Sequence, residues 1–171
     1  MKTFAAATLM AFVSSSVIAD ERTDYFLAGV SNVELWEGNQ SGFTFTASRD
    51  LTDYAGLETN LTYAADNIKY DNDISQYSSL NLSLTPLLFK DISSQLRIYG
   101  KGGVSMHHEK FKYCDGATSC ESADETDLIA TLGLGVQMKN KSGLIVRLSY
   151  DHYFAEYQDI KSVNVTIGYS F

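Results

Sequence analysis

The chain has 171 residues, a formal charge of −8, 44% hydrophobic and 12% aromatic residues, and a single proline. The acidic balance excludes the basic footprint of a nucleic-acid binder, so no nucleic-acid partner is expected. After Ala19 no stretch approaches the ~20 consecutive apolar residues that a membrane helix needs, whereas eleven tyrosines, nine phenylalanines and one proline suit long strands.

The chain opens with one cation, Lys2, and continues without charge from Thr3 to Ala19. Val17-Ile18-Ala19 has the small and β-branched character of a cleavage site, and Asp20-Glu21-Arg22 turns polar at once. This is the layout of a secretory signal peptide cut after Ala19. Residues 1–19 are therefore expected to be a leader and residues 20–171 one domain, without linker or internal repeat.

Eight segments then alternate with period two, at about 24–35, 42–49, 54–65, 77–89, 95–107, 126–138, 143–154 and 161–171. The connections between them alternate as well. Arg49-Asp50-Leu51-Thr52-Asp53, Asp91-Ile92-Ser93-Ser94 and Lys139-Asn140-Lys141-Ser142 are tight. Those around Glu37-Gly38-Asn39-Gln40, Asp66 to Gln76, His108 to Glu125 and Ala155 to Ile160 are mostly longer and richer in charge. Antiparallel hairpins with short turns at one end and long loops at the other fit a barrel with its short end in the periplasm and its long end outside.

The faces decide between lipid and water. Leu80, Leu82, Leu84 and Leu88 share one face of the fourth segment, and Ser79, Asn81, Ser83 and Thr85 the other. In the sixth, Leu128, Ala130, Leu132, Leu134, Val136 and Met138 oppose Ile129, Thr131, Gly133, Gly135 and Gln137. In the last, Val163, Val165, Ile167, Tyr169 and Phe171 oppose Ser162, Asn164, Thr166, Gly168 and Ser170. The second face is small and polar, lacking the Lys, Glu and Asp that coat a surface in bulk water. Such groups fit the narrow interior of eight strands, which turns the apolar face to lipid, where only a closed sheet satisfies its backbone. The expected fold is an all-β, eight-stranded antiparallel up-and-down transmembrane β-barrel. Only the first segment is ambiguous, because Tyr25, Leu27, Val33 and Leu35 compete with Phe26, Ala28 and Val30 for the lipid face.

Cys114 and Cys120 lie in one polar stretch, and in an oxidising envelope compartment they are expected to close a short loop as a disulfide. Their spacing is not Cys-x-x-Cys and no His lies between them, which speaks against a metal or redox pair. Glu58, Arg97, Lys101, Arg147 and Asp151 fall on inward faces. Buried charge is costly unless paired, so Glu58 is expected to pair with one or more of Arg97, Lys101 and Arg147.

With Tyr25-Phe26-Leu27-Ala28-Gly29-Val30, Gly133-Leu134-Gly135-Val136, Arg147-Leu148-Ser149-Tyr150 and the terminal Ile167-Gly168-Tyr169-Ser170-Phe171, the chain resembles the small outer-membrane β-barrel superfamily. That superfamily includes the OmpA transmembrane domain, the OmpX and Ail-type surface proteins and the opacity-type barrels. The resemblance implies a bacterial outer-membrane location, with lipid and lipopolysaccharide as surroundings. Tyr169 and Phe171 look like the signal by which the barrel-assembly machinery recognises its clients; a glycine often found five residues before the end is replaced by Thr166. The inward charges resemble the salt-bridged lumen of the OmpA barrel, which implies either a gate or a packed plug.

Eight-stranded barrels also include lipid A deacylases and palmitoyltransferases. A deacylase-like reading would rest on Arg147 to Phe154, but those enzymes carry serine two residues after the histidine, where this chain has Phe154. Ser149 is on the opposite face from His152 in an extended strand. His107 and Ser105 share an inward face, with no carboxylate obviously placed to orient the ring. Asp20 to Asp24 is too short for the helix that precedes a palmitoyltransferase barrel. Adjacent His107 and His108 point to opposite faces and make a poor metal pair. No catalytic residue, metal or cofactor is expected. The acidic stretches Asp66 to Asp73 and Asp115 to Asp127 offer a surface for a ligand on a rigid scaffold. The expectation is a non-enzymatic barrel serving envelope integrity, adhesion or another surface interaction, with a narrow or gated pore as the alternative and a lipid A-modifying enzyme behind it.

Overall fold

The computed structural model describes residues 23–35, 38–70, 73–115, 119–156 and 159–171, and the side chains of these except 35, 67–70, 73–75, 114, 115 and 119. The expected leader, residues 1–19, and Glu37 of the first long connection lie outside the described residues. Eight strands follow in chain order: β1 (Asp24–Leu35), β2 (Gly38–Asp50), β3 (Ala55–Tyr70), β4 (Asp73–Asp91), β5 (Leu96–Asp115), β6 (Ser119–Lys139), β7 (Leu144–Phe154) and β8 (Ile160–Ser170). Each pairs antiparallel with its neighbours in sequence, and β1 closes on β8.

Side chains take the lipid-out arrangement that the alternation predicts. Leu84, Leu88, Leu128, Leu132, Leu134, Val163, Val165 and Ile167 are exposed on the outside, while Ser83, Thr85, Thr131, Gln137, Asn164 and Thr166 are buried inside. The ambiguity of β1 is resolved by its partners. Val30 stands opposite both Phe43 and Val165, all three outward, and a single shift would flip the whole strand. Tyr25, Leu27 and Val33 therefore point inward.

The three short turns are each tied by one side chain. Thr52 Oγ1 accepts from the Ala55 amide at 2.9 Å, Ser93 Oγ from the Leu96 amide at 3.1 Å, and Asn140 Oδ1 from the amides of Ser142 and Leu144, both at 2.9 Å. Short polar side chains hold turns in this way because they reach backbone donors that the ladder leaves free. Gly143 completes the third turn at a φ of +89°, a region a Cβ disfavours.

The far end differs from expectation. The stretches read as long loops, Asp66 to Gln76 and His108 to Glu125, are largely strand: β3 and β4 pair up to Tyr70↔Asp73, and β5 and β6 up to Asp115↔Ser119. Both faces of these extensions lie beyond the lipid belt, so no apolar alternation marks them, yet their backbones still gain by pairing. Strand lengths consequently range from 11 residues in β7 and β8 to 21 in β6. The β3–β6 side of the wall projects beyond the rest.

Candidate functional site

Two regions carry the polar chemistry: the filled lumen and the projecting sheet. In the lumen, Glu58 on β3 is 1% exposed and receives two cations. Lys101 Nζ on β5 donates to its Oε1 at 2.8 Å, and Arg147 on β7 donates to its Oε2. Lys101 Nζ also lies 2.9 Å from Asp151 Oδ1, an ion-pair contact rather than an aligned hydrogen bond. Two carboxylates thus face two cations in a neutral set, the condition under which buried charge is tolerated.

Further partners come from other strands. Arg147 donates to Tyr25 Oη at 2.5 Å and to Gln137 Oε1 at 2.7 Å, and its guanidinium lies over the Tyr99 and Tyr25 rings at 4.6 and 4.9 Å. Asn164 Nδ2 donates to Asp151 Oδ2 at 2.8 Å. Gly133 makes room for the set, since a Cβ there would sit 2.2 Å from Asp151 Oδ1 and 2.7 Å from Lys101 Cε. Apolar layers flank these charges: Val33, Ala64, Ile129, Tyr153 and Ile160 toward the long-hairpin end, and two clusters, Tyr25, Leu27 and Ile145 with Leu87, Phe89 and Tyr99, toward the turn end.

Four of the five inward charges expected to meet, Glu58, Lys101, Arg147 and Asp151, do so. Arg97 does not. It lies at the turn-end mouth, donating to Asp91 Oδ1 at 2.7 Å and to Asp50 Oδ2 at 2.8 Å while stacking on the Phe89 ring at 3.7 Å. Its position next to Leu96, the first residue of β5, sets it two pleat repeats below Lys101, and the mouth acids reach it first. A cavity of about 400 Å³ opens here, with Asp50, Arg97, Gln137 and Lys139 among its walls. Sequence reasoning missed Tyr25, Tyr99 and Asn164 as partners; the inward parity of Tyr99 and Asn164 was there to be read, whereas that of Tyr25 waited on the register of β1.

A second correction concerns His107. Its Nε2 lies 2.5 Å from Glu109 Oε1 and its Nδ1 2.7 Å from Asn81 Oδ1, so a carboxylate does orient the ring. The signal was the i, i+2 spacing of His107 and Glu109 on one strand face. Among the described residues, however, Ser105 Oγ has no hydrogen-bond partner, so this serine is not engaged by the imidazole. His108 points the other way and bonds Thr126 Oγ1 at 2.7 Å. Ser149 is buried inside while His152 is half-buried on the same strand, so these two do not meet. Among the described residues no group of three or more His, Cys, Asp or Glu is placed to hold a metal ion.

In the projecting sheet, alternate residues separate charge by face. His108, Lys110 and Lys112 share the outward face of β5. Glu109 stands directly opposite Glu125, and Asp127 opposite His107, on the lumen-side face. Cys114 and Cys120 oppose each other in the same backbone pairing; the Cys114 side chain lies outside the described residues. Tyr169 and Phe171 are both exposed at the turn end, where Tyr169 donates to the Ser142 carbonyl.

The sequence matches the profile of the outer membrane protein beta-barrel domain over residues 4–171. Comparison with curated proteins finds no match. Among solved structures, Ail, the attachment invasion locus protein of Yersinia pestis, crystallised with the heparin analogue sucrose octasulfate, aligns with a TM-score of 0.67 at 17% identity, over 88% of this chain and 98% of that one. OprG from Pseudomonas aeruginosa aligns with a TM-score of 0.61 at 10% identity, over 87% and 95%. Neisserial surface protein A aligns with a TM-score of 0.58 at 13% identity, over 88% and 96%. At these identities the likeness is one of fold. Taken with the lipid-out barrel, the profile match identifies the chain as a member of the outer membrane protein beta-barrel domain family, a closed eight-stranded barrel of the bacterial outer membrane.

Proposed function

We propose that this is a non-enzymatic barrel whose projecting β3–β6 sheet engages envelope components or a target surface, and whose filled wall contributes to outer-membrane integrity. The observation that carries this reading is the lopsided wall: β6 has 21 residues and β7 only 11. Length beyond what lipid requires serves no purpose in spanning, and a rigid scaffold is where exposed recognition segments are carried. Ail, a solved relative in fold, is an attachment protein by name, which agrees with this use.

The neutral, buried charge set between apolar layers favours a plug over a gated channel. The opposite facing of Ser149 and His152, and the lack of a hydrogen bond from Ser105 to His107, favour binding over hydrolysis. The same reading has residues 1–19 removed on export, Cys114 bonded to Cys120 across β5 and β6, and Tyr169 with Phe171 read by the assembly machinery.

The test is adherence. Cells displaying the whole protein are compared with cells in which residues 66–76 and 109–125 are replaced by short turns, with heat-modifiable gel migration as the control for folding. Loss of adherence to epithelial monolayers in the shortened form is expected. Equal adherence by both would refute the proposal.

A further inference from the structure

The turn-end mouth holds a cavity of about 400 Å³, a size that accepts a small molecule, at the opposite end of the barrel from the projecting sheet. Three neighbouring strands supply most of its charge. Asp91, the last residue of β4, faces Arg97 of β5 in one ladder, and Arg97 faces Gln137 of β6 in the next. Lys139 follows two residues further along β6, on the same inward face. Asp50 enters from the end of β2.

These charges are unevenly matched. Asp50 and Asp91 both accept from Arg97, at 2.8 and 2.7 Å, so one cation answers two carboxylates and the trio is left negative. Lys139 forms no ion pair among the described residues. The wall is therefore neutral as a whole but has two poles: a negative one, whose outermost member Asp91 is exposed, and a positive one at Lys139. They stand two strand spacings apart, about 10 Å at the backbone.

The uncharged groups of the wall have hydrogens to give. Gln137 is 3% exposed and commits its Oε1 to Arg147 at 2.7 Å, which leaves its amide hydrogens. Ser93 Oγ accepts from the Gln95 and Leu96 amides at 3.2 and 3.1 Å, which leaves its hydroxyl hydrogen. A ligand with a single charge would satisfy one pole and leave the cavity with an excess; a ligand with two opposite charges answers both. An amino acid holds its charges too close together to reach from one pole to the other. An extended chain advances about 3.3 Å per residue, so two or three residues, met by the reach of the Asp91 and Lys139 side chains, cover the distance.

We infer that the turn-end mouth binds a di- or tripeptide with both termini unblocked, its carboxylate on Lys139 and Gln137 and its ammonium on Asp91, whose oxygens keep lone pairs beyond those that Arg97 uses. This site is separate from the projecting sheet, and neither reading depends on the other.

The whole protein in phosphatidylcholine nanodiscs is titrated with Ala-Ala, and binding is followed in proton–nitrogen correlation spectra. Saturable shifts at amides 91–97 and 137–139 are expected. Acetyl-Ala-Ala, Ala-Ala-amide and free alanine each lack one charge or the span, and should bind about tenfold more weakly. Lys139→Gln should lower the affinity for Ala-Ala to that of Ala-Ala-amide, and Asp91→Asn to that of acetyl-Ala-Ala, with heat-modifiable migration showing that both variants are folded. The form with shortened hairpins should bind as the whole protein does. The inference is overturned by the absence of saturable shifts at the mouth, by equal binding of alanine or of either blocked peptide, by full affinity in both variants, or by loss of binding when the hairpins are shortened. The blocked peptides decide on the unaltered protein even if a variant fails to fold.

Discussion

Glu58 and Lys101 lie 43 residues apart in the chain and meet at 2.8 Å in the centre of the barrel, both nearly removed from solvent. On the other oxygen of Glu58 sits Arg147, a further strand pair away around the wall. One carboxylate thus ties β3 to β5 and β7, which are not neighbours in the sheet.

Replacing Glu58 with Gln keeps the shape and removes the charge that two buried cations share. Asp151 alone cannot balance Lys101 and Arg147. A loss of about 3–5 kcal/mol is expected, read as a lower urea midpoint for the gel-shifted folded form in lipid vesicles. An unchanged midpoint would mean that the cations find water instead.

Gly133 and Gly100 offer a matched contrast on neighbouring strands. A Cβ on Gly133 would press into Asp151 and Lys101, whereas one on Gly100 has its nearest neighbour at 3.9 Å. Gly133→Val is expected to cost about 1–3 kcal/mol, and Gly100→Ala to be neutral or to add about 0.4–1 kcal/mol. The same urea titration decides; equal effects would show that the interior is loosely packed at this level.

Pro86 interrupts the wall. The β4–β5 ladder runs from Ile74↔Cys114 to Leu84↔Val104 and resumes at Leu87↔Lys101, skipping Thr85 and Pro86, because proline has no N–H to give. Pro86 faces outward, so valine fits there. Pro86→Val should restore the missing rungs and slow amide exchange at Gly102 and Gly103. The stability gain is held to about 1 kcal/mol by the larger freedom of the unfolded chain. Unaltered exchange at both glycines would place the gap elsewhere.

Asn140 holds the third short turn through three contacts to one oxygen, from the Ser142 and Leu144 amides at 2.9 Å and from Ser142 Oγ at 2.7 Å. Asn140→Ala should cost about 1–2 kcal/mol. Folding into vesicles should slow as well, since this turn sets the β6–β7 register.

The proposed bond between Cys114 and Cys120 lies far from the lumen charges. Alkylation of the native protein without reductant should leave both thiols unlabelled, and reduction should expose two. Reduction should speed amide exchange near the tip of the β5–β6 hairpin and leave the urea midpoint of the barrel unmoved; a lowered midpoint would mean that the projecting sheet unfolds together with the wall.

Eight strands, their order and the lipid-out faces of all but the first were legible in the amino-acid sequence, because a wall one layer thick between hydrocarbon and a narrow interior forces period-two alternation. Leu80 to Leu88 against Ser79 to Thr85 states that constraint residue by residue. The outer halves of β5 and β6 were not legible as strand, since beyond the lipid belt no hydrocarbon forces such an alternation on their sequence. Nor could the sequence choose which cation answers Glu58: parity puts Arg97, Lys101 and Arg147 all inward, but only the closed register sets Lys101 and Arg147 at the height of Glu58 and leaves Arg97 to Asp50 and Asp91 at the mouth. Alternation is a local property of each strand and survives in one dimension, whereas height around a cylinder depends on every pairing that closes it.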